Sequence, residues 1–149
     1  MMEQFFSSQN NWAGLLLRVT IAVVLFPHGA QKLLGWFGGF GFDGTMQYFT
    51  QTVKLPYIIG LLVILIEFFA PIALVLGVGS KILAAVIAIL FVGIMLTSHL
   101  NFGFFMNWMG NQAGEGLEYF LLAIGASLAL MLNGSGKFAI DNMIVAALK

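Results

Sequence analysis

The stretch Leu55-Pro-Tyr-Ile-Ile-Gly-Leu-Leu-Val-Ile-Leu-Ile-Glu67-Phe-Phe-Ala-Pro-Ile-Ala-Leu-Val-Leu76 decides the fold. Its length matches the roughly 20 apolar residues that cross a bilayer as a helix. A carboxylate sits near its middle, where it costs about 2.5–3.5 kcal/mol unless it is paired, protonated or turned to a polar cavity. The rest of the chain is of the same kind. Of its 149 residues 60% are hydrophobic and 8% are charged, against about 25% charged in a soluble domain. The composition is that of an all-α polytopic membrane protein with one domain over residues 1–149.

The same counts exclude several functions. Six Lys and Arg balance six Asp and Glu, which leaves no electrostatic footprint for nucleic acid. The absence of cysteine removes disulfides, thiolate nucleophiles, CxxC redox pairs and cysteine-ligated iron–sulfur clusters. No glycine-rich phosphate fingerprint follows a strand, and no serine nucleophile with a base is visible. Met1 to Trp12 carry Glu3 but no Lys or Arg. The positive region of a cleavable signal peptide is therefore missing, and the first apolar run is expected to stay as a helix.

Four spans are expected, at residues 12–34, 56–76, 81–100 and 116–132. The second and third are joined only by Gly77-Val-Gly79-Ser80, a tight hairpin. Pro27 and Pro71 lie inside spans and are expected to kink them. Short connections favour an up-down four-transmembrane-helix bundle. With the N-terminus inside, the inner side holds Arg18, Lys81, Lys137 and Lys149, and the outer side Lys32 and Lys54. That asymmetry favours both termini in the cytoplasm; the membrane expected is a bacterial inner one.

Two outer loops are aromatic. In the first, Gly35-Trp-Phe-Gly-Gly-Phe-Gly-Phe-Asp43 leads into a short interfacial helix, with Asp43 as its cap and Met46, Phe49 and Val53 on one face. The second, Asn101-Phe-Gly-Phe-Phe-Met-Asn-Trp108, is suited to anchoring at headgroup level or to covering the mouth of the bundle. The tail, residues 137–149, reads as a short amphipathic helix on the inner surface, capped by Asp141.

The candidate ligand-binding residues are Arg18, His28, Lys32, Glu67, His99 and Glu118. At a rise of 1.5 Å per residue, Arg18 stands roughly 9 Å above the inner edge and His28 roughly 9 Å below the outer edge. Glu67 lies between them. Pairing of Arg18 with Glu67 is within side-chain reach, and Lys32 is one turn above His28 on the same face. Gly60, Glu67 and Leu74 align on the second span. Lys81, Ala85, Ala88, Val92, Met95 and His99 form a stripe on the third, and Glu118, Leu122, Gly125 and Ala129 on the fourth. These small-residue faces are expected to pack inward. Each residue also has a plainer reading: snorkelling for Arg18, a structural ion pair for Glu67, a helix-end hydrogen bond for His28, an interfacial position for His99, and a helix N-terminus for Glu115 and Glu118.

Bis-histidine haem ligation suits the depths poorly, because His28 falls well below His99. A metal site from His28, Glu67, His99 and Glu118 lacks any ligand-spacing motif. Any redox chemistry would have to come from a cofactor, a quinone or a partner subunit.

The run Arg18 … Phe26-Pro-His28-Gly29-Ala-Gln31-Lys32-Leu33-Leu-Gly35-Trp36-Phe37-Gly38-Gly39 resembles the DoxX family of small four-helix membrane proteins. The resemblance continues through Gly44-Thr45, Pro56, Glu67, Gly77, His99 with its Gly-Phe-Phe loop, Gly116-Leu-Glu118-Tyr119, and Gly134-Ser-Gly136 before Asp141. Ser135 departs from the proline that the family often carries between these glycines. The resemblance implies a four-helix bundle with cytoplasmic termini and an association with membrane oxidoreductase systems. The family name derives from a subunit linked to quinone reduction in sulfur oxidation, but catalysis does not transfer with a fold.

The expected function is a membrane subunit or accessory of a quinone-linked redox system. If catalytic, it is part of an enzyme rather than a complete one. It would have the lipid bilayer around it, a membrane or periplasmic redox partner, and scope for homo-oligomers. The alternatives are a non-enzymatic protein that binds or transports a small molecule or lipid, and a structural assembly factor.

Overall fold

A computed structural model describes residues 10–147 of the chain, and all regular structure among them is helical. The readings made on Met1–Gln9, and the last two residues of the tail including Lys149, lie outside the described residues. Helix α1 is Trp12–Leu34, α2 is Gly41–Gln47, α3 is Tyr57–Leu76, α4 is Ser80–Ile94, α5 is Glu118–Asn133 and α6 is Ile140–Ala147. A π-turn, Tyr48–Thr52, prolongs α2, and irregular helical turns carry α4 on to Phe102. Three helices, Trp12–Leu34, Tyr57–Leu76 and Ser80–Phe102, are long and apolar enough to cross a membrane. The fourth apolar helix, α5, is shorter at 16 residues.

Local chemistry sets the ends of these helices. Asn11 caps α1 by accepting from the Gly14 amide, which satisfies one of the donors that every helix start leaves open. Helix α3 ends at Gly77, whose φ of +70° only glycine adopts cheaply. With Gly79 also left-handed at +62°, the chain reverses into α4 within three residues. Pro27 and Pro71 lie inside helices α1 and α3.

Helix α1 packs chiefly on α3, and α4 on α5, with α1 also meeting α5. Their shared core holds Ile21, Leu25, Ala70, Leu74, Ala84, Ile87, Phe91, Phe120 and Leu130. A smaller core joins Met46 and Phe49 to Ile64 and docks the first loop on α3. Asp43 stands in the first turn of α2 and makes no capping bond; Phe40 occupies the cap position. Away from these cores Leu16, Val23, Leu62, Phe69, Ile89, Leu122 and Leu132 are exposed. An apolar perimeter of this kind is what helices present to lipid.

The inward faces of α1 and α3 follow the apolar spacing; those of α4 and α5 differ from it. Gly60, Glu67 and Leu74 are all buried. On α4 Ser80, Ala84, Ile87, Ala88, Leu90 and Phe91 are buried, so Ala88 of the expected stripe faces inward, whereas Val92 is exposed. On α5 it is Phe120, Ser127 and Leu130, whereas Leu122, Gly125 and Ala129 face outward. The expected α5 stripe starts at Glu118, whose carboxylate accepts from the Met106 amide. That side chain turns back to the preceding loop, so it does not mark the packed face.

Candidate functional site

Helices α1 and α3 touch backbone to backbone at Gly29 and Glu67. A Cβ on Gly29 would lie 2.2 Å from the Glu67 carbonyl oxygen, so the crossing exists only because residue 29 has no side chain. This contact sets the stagger of the two helices, and the stagger selects the partner of Glu67. Side chains on a helix lean toward its N-terminus. Lys32, one turn beyond Gly29, therefore leans back over the crossing. Its Nζ reaches Glu67 Oε2 at 2.5 Å. Glu67 is 2% exposed and Lys32 25%.

The same lean carries Arg18 away from Glu67. Arg18 is buried, and its guanidinium donates to the carbonyls of Leu74 and Val75 at the end of α3 and of Ser135, Lys137 and Phe138 beyond α5. The expected Arg18–Glu67 pair is thus replaced by Lys32–Glu67. A rise of 1.5 Å per residue places residues along a helix axis but takes no account of helix stagger or side-chain lean, and both act here. The last carbonyls of α3 carry the negative end of its dipole, and that of Leu74 accepts from the Gly77 amide as well. A buried guanidinium with five donors is suited to them.

Asp141 shares this end of the bundle. Its carboxylate accepts from the Gly79 and Ser80 amides, at 2.7 and 3.0 Å, and from the Ser135 hydroxyl. It therefore caps α4, which corrects the expectation that it caps its own helix α6. The connection after α5 is thereby fastened to the α3–α4 hairpin through Arg18 and Asp141.

At the other end a cavity of about 310 Å³ opens between α1, α3, α4 and α5. Its polar lining comprises His28, Lys32, Glu67, His99, Glu115 and Tyr119, and Leu25, Phe91, Ile94 and Phe120 are among its apolar walls. Four of the six candidates, His28, Lys32, Glu67 and His99, are therefore together. Arg18 and Glu118 are not among the lining residues. Glu118 accepts from the Met106 amide and Glu115 from the Asn107 amide, so both hold the second aromatic loop against the start of α5.

His99 is fixed on two sides. Its ring lies 4.4 Å from that of Phe120, and its Nδ1 is 2.8 Å from the Glu115 carbonyl. A carbonyl only accepts, so Nδ1 carries the proton, and Nε2 of the neutral ring is left as an acceptor. Tyr119 was missed as a candidate. It packs edge-on against Phe91, one residue past Glu118 and about 100° further round the helix. An aromatic with a polar tip beside a helix-start acid was the available signal. Among the described residues no group of three or more His, Asp or Glu is placed to hold a metal ion.

A chain whose described residues form only helices, with lipid-facing apolar surfaces, a buried ion pair and a polar-lined cavity, is a small membrane protein. It belongs to the DoxX family, whose sequence model matches residues 13–100. It is 28% identical over 130 residues to the Bacillus subtilis protein named "Putative oxidoreductase CatD", covering 87% of this chain and 85% of that one. It is 24% identical over 131 residues to the Escherichia coli protein named "Inner membrane protein YphA", covering 85% and 86% respectively. No solved structure matches the chain.

Proposed function

We propose that this protein is a subunit or accessory of a membrane redox system and binds the head of a quinone in the cavity beside Lys32 and Glu67. One observation carries the reading: the cavity combines aromatic and aliphatic walls with both hydrogen-bond donors and acceptors. A quinone ring is flat and apolar on its faces and has two carbonyls that need donors. The Lys32 ammonium, the Tyr119 hydroxyl and a His28 N–H are donors of this kind. The quinol has hydroxyls that need acceptors, which Glu67 and the free nitrogen of His99 supply. Reduction takes two electrons, delivered by a redox partner subunit, and two protons, which a positioned histidine and the Lys32 ammonium can hand on from water. The name of the Bacillus subtilis relative is in keeping with such a role.

In this reading the four apolar helices span the bilayer alternately, with both termini in the cytoplasm. Helix α5 is about 24 Å long at 1.5 Å per residue, so its flanking segments complete the crossing. The Escherichia coli relative is named an inner membrane protein, in keeping with that placement. The test is purification in mild detergent followed by lipid extraction and titration with a short-chain quinone. Co-purified quinone and saturable binding are expected. No quinone in the extract and no binding above that of empty micelles would refute the reading.

A further inference from the structure

The polar cavity has an apolar neighbour. A groove of about 390 Å³ runs along the seam of α3 and α4, lined by Leu62, Val63, Ile66, Leu90, Gly93 and Ile94 among others. Ile94 lines both spaces. The two walls also alternate along the helices: Ile66 faces the groove where Glu67 faces the cavity, and Leu90 the groove where Phe91 faces the cavity. The seam is held tight at the Gly77–Gly79 turn, and groove and cavity lie on its two sides further along. The groove mouth is apolar, with Leu62 and Ile89 exposed.

We infer that the α3–α4 seam is a lateral portal: the ligand is a long-chain isoprenoid quinone whose tail lies in the groove while its head passes Ile94 into the cavity. This rests on the proposed quinone reading and adds the tail, the route and the side of entry. Polarity decides the occupant, because a molecule that fits both spaces at once has a polar head continuous with an apolar chain. Tail burial brings little hydrophobic gain, since the tail leaves lipid rather than water. The groove acts instead as a passage that lets the head reach Lys32 and Glu67 while its chain remains in apolar surroundings.

Gly93 provides the test. A Cβ there meets nothing within 4 Å, so Gly93→Phe can fill the groove without moving the backbone, and Gly93 does not line the cavity. Wild type and G93F would be titrated in nanodiscs with two probes, a tail-less benzoquinone and one carrying a long isoprenoid chain. Helical circular dichroism and monodisperse elution serve as folding controls. The expected result is a fall of tenfold or more in affinity for the long-chain quinone, with tail-less binding unchanged. Unchanged affinity for both, or an equal loss of both, overturns the portal while leaving the head site standing. Two variants of that outcome reassign the groove: loss of a bound phospholipid gives it to lipid, and a shift from dimer to monomer gives it to a second copy. Absence of any quinone binding by wild type refutes the head site itself.

Discussion

Lys32 and Glu67 form an ion pair of 2.5 Å across the α1–α3 crossing, with the acid buried and the base a quarter exposed. The asymmetry in burial makes the two partners unequal. Removing one member of a buried pair costs about 3–5 kcal/mol, mostly for the charge left behind. Lys32→Met strands Glu67 in the interior. Glu67→Gln leaves a lysine that can reach toward the cavity and water. Thermal unfolding in detergent should show K32M destabilised by about 2–3 kcal/mol and E67Q by about 1, discounted for the exposure of Lys32. The K32M/E67Q double variant should be more stable than K32M alone, and equal costs for the two single variants would contradict this account.

Arg18→Lys should behave as a loss rather than a conservative change. One ammonium has three donors and no fixed fork, and cannot serve five carbonyls on two segments. Hydrogen bonds to charged groups are worth about 1.5–3 kcal/mol each, so a loss of about 2 kcal/mol or more is expected in R18K. Its quinone affinity, measured on the folded fraction, should stay at the wild-type value, because Arg18 is not part of the cavity lining.

Gly29→Ala tests the helix crossing. The added methyl would fall 2.2 Å from the Glu67 carbonyl oxygen, and overpacking of this kind costs about 1–3 kcal/mol. Gly125→Ala is the control, since a Cβ there meets nothing within 4 Å. Stability should fall for G29A and hold or rise slightly for G125A. Equal melting temperatures for the two would show that the crossing is looser than described.

Asp141→Ala should loosen the attachment of the chain after α5. The carboxylate accepts from two amides at the start of α4 and from Ser135, and truncating a capping side chain to alanine costs about 0.5–2 kcal/mol. Limited proteolysis should cut D141A faster within residues 134–147 than wild type. An unchanged cleavage pattern would mean that Arg18 alone holds this segment.

Much of the fold was legible because a single signal governs it. A run such as Tyr57–Leu76 has one reading in water and another in lipid, and its length selects the second. The turn at Gly77 and Gly79 and the burial of Gly60, Glu67 and Leu74 follow from residue type and helical period. The partner of Glu67 was not legible in that way. It depends on the stagger set at Gly29, a contact of one backbone with another that leaves no periodic trace. The role of Asp141 was hidden because the amides it caps lie 61 and 62 residues away in sequence. Glu118 misled for a local reason: at the first turn of α5 its side chain follows the loop, and the inward face begins with Tyr119 and Phe120.

The central claim is that the cavity beside Lys32 and Glu67 receives a quinone head. Equilibrium titration with a tail-less benzoquinone tests it most directly, run in parallel on wild type, Glu67→Gln, His28→Ala and the control Asp43→Asn, an exposed position on α2. The account predicts saturable binding to wild type and D43N, weakened about tenfold or more, or about 1.4 kcal/mol, in E67Q and H28A. Binding of equal strength in all four proteins, or in none, would contradict it.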